Sequence, residues 1–252
     1  MVIGWLFEEE DGSFPGRRFL PLRTRAFLEF FVQHVQQVAA AIKFVYREIC
    51  CMMHIMRKSP VNIRTAAKEA SHERIVSAAA RAIRRSGYDG TGVADIMKEA
   101  GLTHGAFYAH FASREAMLAE AADRAGAESN AIAARVIAAV PPEQSLQALM
   151  QVYLSKEHLA SIETGCPISA LGSEMPRQTP EVRRAATLRI KEMIDLVARQ
   201  FPDWGQPSAH ERALVTVATM VGTLMLARAV DDSALSDAFC SATLTSLAPA
   251  GA

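Results

Sequence analysis

The chain has 252 residues, half of them hydrophobic and 7% aromatic, with 27 basic and 27 acidic side chains. This length and apolar content exclude a largely disordered chain and allow one large domain or two smaller ones. Although the net charge is zero, the charged residues are unevenly distributed. Residues 57–115 carry ten Lys/Arg and six Asp/Glu, whereas residues 116–252 carry eleven Lys/Arg and fifteen Asp/Glu. A basic segment beside an acidic one is typical of a chain in which only the basic segment contacts phosphates. No alternating β runs of useful length occur, so the sequence predicts an all-α fold.

The cysteine and histidine patterns point away from metal sites and catalysis. Cys50, Cys51, Cys166 and Cys240 lack the CxxC or Cys/His spacing of a zinc site and suggest no disulfide framework. This cysteine usage suits a reducing cytoplasm. The sequence also lacks an HExxH motif, a glycine-rich phosphate loop and a nucleophile–base pattern. We expect no metal, no cofactor and no enzyme activity, and a helical enzyme that does not bind DNA is the less favoured alternative.

Residues 1–56 differ in character from the rest of the chain. Met1–Leu22 is rich in turn residues, whereas Ala26–Met56 is apolar and is predicted to be helical. Charged side chains interrupt the apolar segment before it reaches the roughly 18–20 residues of a membrane span, and it does not resemble a signal peptide. Methionines at 52, 53 and 56 suggest the hypothesis of a later translation start, with residues 1–60 as an N-terminal extension. The alternatives are an extra helix on the next domain or a membrane-attached helical protein.

A basic arm leads into the first predicted domain helix, and such arms add sequence-independent phosphate contacts. The arm consists of Arg57, Lys58, Arg64 and Lys68. Ser71 is predicted to cap a helix over His72–Ser86, and Gly87 stands where glycine ends helices. Tyr88 is predicted to be buried. The helix is expected to place three arginines outward, namely Arg81, Arg84 and Arg85.

Residues 93–111 predict two short helices joined by a tight turn. The first has an apolar face and ends at Gly101, which supplies a positive φ. Thr103 is the predicted N-cap of the second helix, His104–Phe111, which turns two phenylalanines inward. Such a pair fits a helix-turn-helix, and the alternative is an αα-hairpin within a helical core. The residues predicted to face outward are Thr103, His104, Gly105, Tyr108 and His110.

The run TGVADIMKEAGLTHGAFYAHFASREAMLAEA, residues 91–121, resembles the DNA-binding region of the TetR family of bacterial transcriptional regulators. The likeness is continuous: a Gly-Tyr before the first short helix, an Ala-Gly-Leu-Thr turn, a Phe-Tyr-x-His-Phe helix and a Ser-Arg-Glu start to the next. It implies a three-helix DNA-binding domain over residues 61–115. It also implies a ligand-binding and dimerisation domain over residues 116–252.

The resemblance implies which side chains meet DNA. Residues 103–105 would face base edges, Tyr108 and His110 would reach the backbone or the groove wall, and Arg114 would contact a phosphate. Gly92 departs from the Ser or Thr that the family often has there, so only its backbone amide remains for a phosphate. The full implied set is Thr91, Gly92, Lys98, Thr103, His104, Gly105, Tyr108, His110 and Arg114.

The remaining chain predicts further helices. Ser113 is the expected N-cap of a long helix that begins at Arg114 and stops at Pro141-Pro142; by resemblance it is the connecting helix that carries a ligand signal to the DNA-binding domains. The string GCPISALGSEMPRQTPEVR also resembles the C-terminal domain of one TetR-like branch. The later predicted helices are Ser145–Ile162, Ile168–Met175, Glu181–Phe201, Ala209–Ala229 and Asp231–Leu247.

Two of these helices, Glu181–Phe201 and Ala209–Ala229, are the candidates for a four-helix seam between two copies of the chain. The alternative is that one of them packs only within its own chain. A homodimer would let two DNA-binding domains read a palindromic operator on double-stranded DNA.

The resemblance also implies a repressor that leaves DNA when an unknown small molecule enters the second domain. Cys166 at a predicted helix start suggests an alternative, a redox- or electrophile-sensing regulator, because a helix dipole lowers a thiol pKa; an inert buried cysteine is the simpler reading. Core packing is likewise the alternative for the other candidates. The candidate effector residues are Met150, Tyr153, His158, Cys166, Met175 and Met193.

Overall fold

The computed structural model describes residues 63–248 and, ahead of them, four isolated helical positions at 35, 38, 39 and 43. The hypotheses about residues 1–60 and the apolar segment Ala26–Met56 therefore fall outside the described residues, apart from those positions. From Arg64 onward the chain forms one unit. Every regular element of the described part is a helix, which confirms the all-α prediction.

Three helices form the N-terminal part of this unit, which we call the head (residues 63–111). Helix α1 spans Ile63–Ser86, α2 spans Val93–Glu99, and a 3-10 helix spans His104–Ala109. Helix α1 ends as predicted at Gly87, which has a φ of +76° and whose amide donates to the Ile83 carbonyl at 2.8 Å.

Helix α1 is longer than the sequence predicted. The expected start at Ser71 is wrong, because the helix runs without a break from Ile63 and Ser71 lies in its middle. The residues before Ser71, AAKEA, are strong helix formers, and the Ser71 hydroxyl accepts from the Arg74 guanidinium at 3.3 Å instead of capping. Lys68 is therefore an exposed helical side chain and not part of a linker. Arg57, Lys58 and the Arg64 side chain lie outside the described residues.

The C-terminal part consists of six further α-helices after a long connecting helix. Helix α3 spans Arg114–Ala138 and begins at Ser113, whose hydroxyl accepts from the Ala116 amide at 3.1 Å, as predicted. The helices that follow are α4 (Ser145–Tyr153), α5 (Lys156–Ala160), α6 (Pro167–Leu171), α7 (Pro180–Ala198), α8 (Pro207–Ala229) and α9 (Ser233–Leu247). Single-turn 3-10 helices lie at Pro142–Gln144 and Met175–Arg177.

Two predicted helices are broken in the structure. The expected helix Ser145–Ile162 is interrupted after Tyr153, because Ser155 caps a new helix by accepting from the His158 amide at 3.2 Å. The expected helix Ile168–Met175 ends at Leu171 and is followed by a 3-10 turn. The elements α7, α8 and α9 agree with their predicted bounds within three residues.

Helices α3 and α7 approach each other closely at Gly126. A Cβ placed on Gly126 would lie 2.5 Å from the Cβ of Arg189 and 2.6 Å from its Cγ. One turn away, the Arg189 guanidinium donates to both carboxylate oxygens of Asp123, at 2.8 and 2.7 Å, and also to Glu192. The missing side chain at Gly126 is what permits this close crossing.

The buried side chains form two clusters. The first contains the core of the head together with Leu171 of α6 and Val182 of α7, so the head packs directly on the C-terminal helices. The second lies among helices α3 to α9 and includes Leu149, Met220 and Leu224. Movement among the C-terminal helices can therefore reach the head through shared packing.

Candidate nucleic-acid interface and effector cavities

The turn between α2 and the 3-10 helix is built by backbone hydrogen bonds around Gly101. Gly101 has a φ of +69°, as predicted, and its amide donates to the Lys98 carbonyl at 3.0 Å. The next amide, of Leu102, reaches back to the Met97 carbonyl at 2.8 Å, and together these bonds close the end of α2. The chain then enters the 3-10 helix at Thr103, which occupies the predicted N-cap position.

The recognition helix departs from prediction in two respects. It is a 3-10 helix rather than an α-helix and ends at Ala109, with the Ala106 amide donating to the Thr103 carbonyl at 3.0 Å. The Thr103 hydroxyl makes no capping hydrogen bond. The 3-10 helix is held against the core by Phe107 and Phe111, which are 3% and 4% exposed, as predicted. Their rings stack with centroids 5.6 Å apart.

The outer side of this helix forms one exposed surface, which we call the recognition face (residues 103, 104, 105 and 108). Thr103, His104 and Gly105 are all exposed, and the Tyr108 side chain is 73% exposed. The His104 and Tyr108 rings meet edge to face with centroids 6.4 Å apart. An exposed tyrosine beside two donors on a helix start offers hydrogen bonds to base edges and phosphate oxygens.

Two of the other side chains predicted to contact DNA make hydrogen bonds within the protein. The side chain of Thr91 is buried and its hydroxyl donates to the Gly87 carbonyl at 2.6 Å, so the hydroxyl is not free to donate to a DNA phosphate. The Arg114 guanidinium donates to the carbonyls of Tyr88 and Thr91, the latter at 3.2 Å, and thereby ties the start of α3 to the head.

His110 is only half exposed and turns toward α1. Its ring centroid lies 5.8 Å from that of His72, and its buried Nδ1 has no hydrogen-bond partner among the residues that the structure describes. Burial, followed by the nearby His72 and Lys68, lowers the pKa of His110. His110 is therefore neutral near pH 7 and offers DNA no ionic contact, which narrows its predicted role.

The flank of the interface is formed by α2. The Lys98 side chain is exposed, as a phosphate contact requires, and Gly92 is an exposed N-cap without a side-chain hydrogen bond. On the other side of α2, the carboxylate of Glu99 accepts from Arg81 at 2.8 Å and from Arg85 at 3.2 Å. These two arginines neutralise Glu99 at the end of α2, next to Lys98, and Asp95 lies three residues before Lys98 on the same helix.

Arg84 contradicts the expectation that it faces solvent. Its side chain is fully buried, and its guanidinium donates to Glu128 of α3 at 2.6 Å and to the Gly165 carbonyl at 3.4 Å. The burial of Arg84 could have been predicted from helical spacing. Val76 and Ala80, two turns and one turn earlier in α1, lie on the same face and are buried. Arg84 thus joins the head to the connecting helix and to the loop before α6.

An exposed apolar stripe follows α8. Val215, Ala218, Gly222 and Met225 recur at heptad-like spacing, and the flanking Leu226 is 48% exposed. A Cβ on Gly222 would have no atom within 4 Å, so the middle of the stripe is open. Helix α8 is long and apolar enough to cross a membrane by length and composition alone, and 39% of its most apolar 18 residues are buried within the chain. A contiguous exposed apolar surface of this kind is typical of a site that packs against another apolar surface.

Two neighbouring cavities lie among the C-terminal helices. The larger of this pair has a volume of about 290 Å³ and the smaller about 210 Å³, and they share Ser129 and Met193. A third cavity, of about 410 Å³, lies apart from them between α4, α5 and α9. Of the predicted effector residues, Cys166 and Met175 line the larger cavity, and Tyr153 and His158 line the smaller one. Met150 is 1% exposed and lines neither, so it is a core residue. The wall of the larger cavity also includes Tyr88 of the head, a contact that residue spacing along the chain does not predict.

His158 is fixed by hydrogen bonds at both ring nitrogens. Its Nε2 accepts from the Cys166 amide at 3.0 Å, so its Nδ1 must carry the proton and donate to the Tyr153 carbonyl at 2.6 Å. Burial lowers the pKa of His158, and the nearby Arg228 lowers it further, although the bond to the Tyr153 carbonyl raises it. The ring is held neutral as part of the wall.

Cys166 is a buried thiol. It is 2% exposed and precedes α6, which has only five residues, so the predicted activation by a helix dipole has little helix to supply it. A reactive cysteine needs an accessible and activated thiolate. The described structure therefore favours the inert reading over a redox sensor.

Comparison with known proteins identifies both parts of the chain. Residues 75–121 match the family model of bacterial regulatory proteins of the tetR family, and residues 142–238 match that of the C-terminal domain of LmrA/YxaF-like transcriptional regulators. An uncharacterized HTH-type transcriptional regulator of Mycobacterium tuberculosis H37Rv is 33% identical over 165 residues, 62% of this chain and 83% of that protein. The HTH-type transcriptional regulator LmrA of Bacillus subtilis is 28% identical over 167 residues, 65% of this chain and 89% of that protein. A solved TetR transcriptional regulator from Chloroflexus aurantiacus has a TM-score of 0.60 and 26% identity, covering 71% of this chain and 95% of that chain.

Proposed function

This chain belongs to the TetR family of bacterial transcriptional regulators, and from that premise we propose that it is a cytoplasmic repressor released from DNA by a small molecule. It is a transcriptional regulator and not an enzyme. In this proposal residues 61–115 bind a palindromic operator, and residues 116–252 bind the effector and form a homodimer.

The observation that carries the proposal is the recognition face. Tyr108 is the most exposed large hydrophobic side chain in the described part of the head, whereas Phe107 and Phe111 of the same segment are buried. An aromatic hydroxyl held outward by a rigid core is suited to a phosphate oxygen or the groove wall. We assign Thr103, His104 and Gly105 to base edges, because they stand at the start of the helix that enters the major groove. Lys98 is assigned to a phosphate, and the Gly92 amide to a second one.

The apolar stripe of α8 supports the homodimer. Val215 is 62% exposed and Leu188 of the neighbouring α7 is 51% exposed, so both helices leave apolar surface uncovered in a single chain. Ala218 and Gly222 in the middle of the stripe allow two α8 helices to approach closely. Two copies joined here would form a four-helix seam, and a palindrome is read when their heads are spaced by one DNA turn, about 34–36 Å.

Operator binding is tested by fluorescence anisotropy with the full chain and DNA flanking its own gene, over a salt series. We expect specific binding that Tyr108→Phe weakens without changing thermal stability. Lys98→Ala should reduce the slope of log K against log salt by about 1. Lys156→Ala is the control, because Lys156 is also exposed but lies in the C-terminal part, where it pairs with Asp237. Equal affinity for flanking and random DNA, or equal slopes for the two lysine variants, would contradict the proposal.

A further inference from the structure

Tyr88 carries a buried hydroxyl that has no partner within the described residues. The side chain is fully buried, it lines the larger cavity, and its hydroxyl makes no hydrogen bond. Buried polar groups are normally paired, and each exception asks for an explanation. Because Tyr88 lines a cavity of about 290 Å³, a ligand in that cavity is the partner that the geometry offers to its hydroxyl.

The surroundings of Tyr88 define the chemistry of such a ligand. Burial, followed by the negative charge of Glu174, raises the pKa of Tyr88, so the hydroxyl stays protonated and donates. The Arg189 guanidinium in the wall is already paired with Asp123 and Glu192, and Arg183 is exposed to solvent, so neither calls for an anion. The rest of the wall is mainly apolar and includes Ala122, Ile168, Met175, Ile190 and Met193.

The backbone of Tyr88 connects the cavity to the head. Its amide donates to the Glu174 carboxylate at 2.8 Å, and its carbonyl accepts from Arg114 at the start of α3. Glu174 lies next to Met175 in the cavity wall, and its carboxylate lies so close to the turn after α1 that a Cβ on Gly87 would overlap it. The same turn leads into α2 and is closed by the Thr91 hydroxyl. A displacement of Glu174 or of the Tyr88 ring therefore reaches the helix-turn-helix within one turn of chain.

We propose that the effector is a neutral, largely apolar molecule with one hydrogen-bond acceptor, which pairs with the Tyr88 hydroxyl and releases the operator by displacing Glu174 from the Tyr88 amide. The inference rests on the proposed function and specifies its effector class and its route of regulation. It places the effector in direct contact with the head, so the signal does not depend on a tilt of α3 alone.

Two probes of the same outline test the ligand chemistry. 2-Acetylnaphthalene carries one acceptor, and 2-isopropylnaphthalene replaces it with a hydrocarbon. Binding to the full chain is followed by ¹⁹F NMR of 3-fluorotyrosine, which reports on four tyrosines that Tyr→Phe variants assign. We expect the ketone to bind about three- to tenfold more tightly than the hydrocarbon, the effect of one hydrogen bond, and to shift the Tyr88 resonance.

Tyr88→Phe should abolish that preference without loss of folding, because the hydroxyl makes no hydrogen bond in the free protein. Tyr153→Phe is the matched control: the Tyr153 hydroxyl is also buried, but the residue lines the smaller cavity, so the preference should persist. Equal binding of the two probes, failure of both to bind, or a preference that survives in Tyr88→Phe would overturn the assigned site.

The route of regulation is tested with Glu174→Ala. Saturating 2-acetylnaphthalene should weaken operator binding of the natural chain at least fivefold, within the range of ordinary allosteric coupling. In Glu174→Ala the ketone should bind as before while its effect on the operator falls below twofold. Equal release in both proteins, or no release from the natural chain, refutes the route. If the natural chain binds no operator at all, the proposed function fails, whereas the probe measurements still decide the site.

Discussion

Replacing Gly126 by alanine is expected to destabilise the protein, although alanine is the better helix former. The added methyl carbon would stand 2.5 Å from the Cβ and 2.6 Å from the Cγ of Arg189, whereas non-bonded carbons rest at about 3.5–4.0 Å. Both atoms belong to the base of the arginine side chain, so a rotation of the guanidinium does not relieve the contact. Helices α3 and α7 must separate, or Arg189 must give up its paired bonds to Asp123.

The magnitude follows from two opposing effects. Overpacking a well-packed interior costs about 1–3 kcal/mol, and exchange of glycine for alanine inside a helix returns about 1 kcal/mol. The net expectation is a loss of about 1 kcal/mol in the free energy of unfolding. For a chain of this size that corresponds to a fall in Tm of about 2–4 °C.

Thermal unfolding followed by circular dichroism measures this change directly. Gly105→Ala is the control, because a Cβ there has no atom within 4 Å and the substitution should leave Tm unchanged or slightly raised. A Tm for Gly126→Ala equal to or above that of the natural chain would refute the close crossing of α3 and α7.

Three further predictions concern other parts of the molecule. Arg84→Met should lower the free energy of unfolding in denaturant by about 1–3 kcal/mol, because it leaves a buried carbonyl and a carboxylate unpaired, whereas the exposed Arg85→Met should change it by less than about 0.5 kcal/mol; equal losses would contradict the buried position of Arg84. Val215→Glu should halve the mass measured by light scattering and abolish operator binding, since it places a charge in the seam; an unchanged mass would exclude α8 from the interface. The depressed pKa of His158 means that the unfolded chain binds more protons below about pH 6.5, so stability should fall from pH 7 to 5, and less steeply in His158→Gln. The difference between the two slopes isolates His158 from His110, and identical slopes would refute a neutral His158.

The helix-turn-helix could be predicted because its signals are local. Gly101 sets the turn, and Phe107 and Phe111 share one face at a separation of four residues, so neighbours in sequence decide both features. The 3-10 form of the recognition helix was not predicted, because its two turns are shaped by packing in the core that they share with α1 and the connecting helix, and not by propensity.

The contacts that join the head to the rest of the chain could not be predicted. Arg84 meets Gly165 and Tyr88 meets Glu174, partners that lie 81 and 86 residues away in sequence. Thr91 was expected to lie at the DNA surface, but its hydroxyl donates to the backbone carbonyl of Gly87, four residues earlier. Pairings of this kind depend on how helices meet in space, which residue spacing within one helix does not encode.

The recognition face has a consequence for how such a regulator changes its target. Its helix is held by Phe107 and Phe111 from the inside, while Thr103 makes no cap and a side chain at Gly105 would touch nothing. Residues 103, 104, 105 and 108 therefore contribute little to folding, and exchanges among them should be nearly neutral for stability. Selection can test new operator sequences at these four positions one substitution at a time, without first acquiring a compensating change in the core. The buried core of the head and the recognition face can therefore diverge in sequence at different rates.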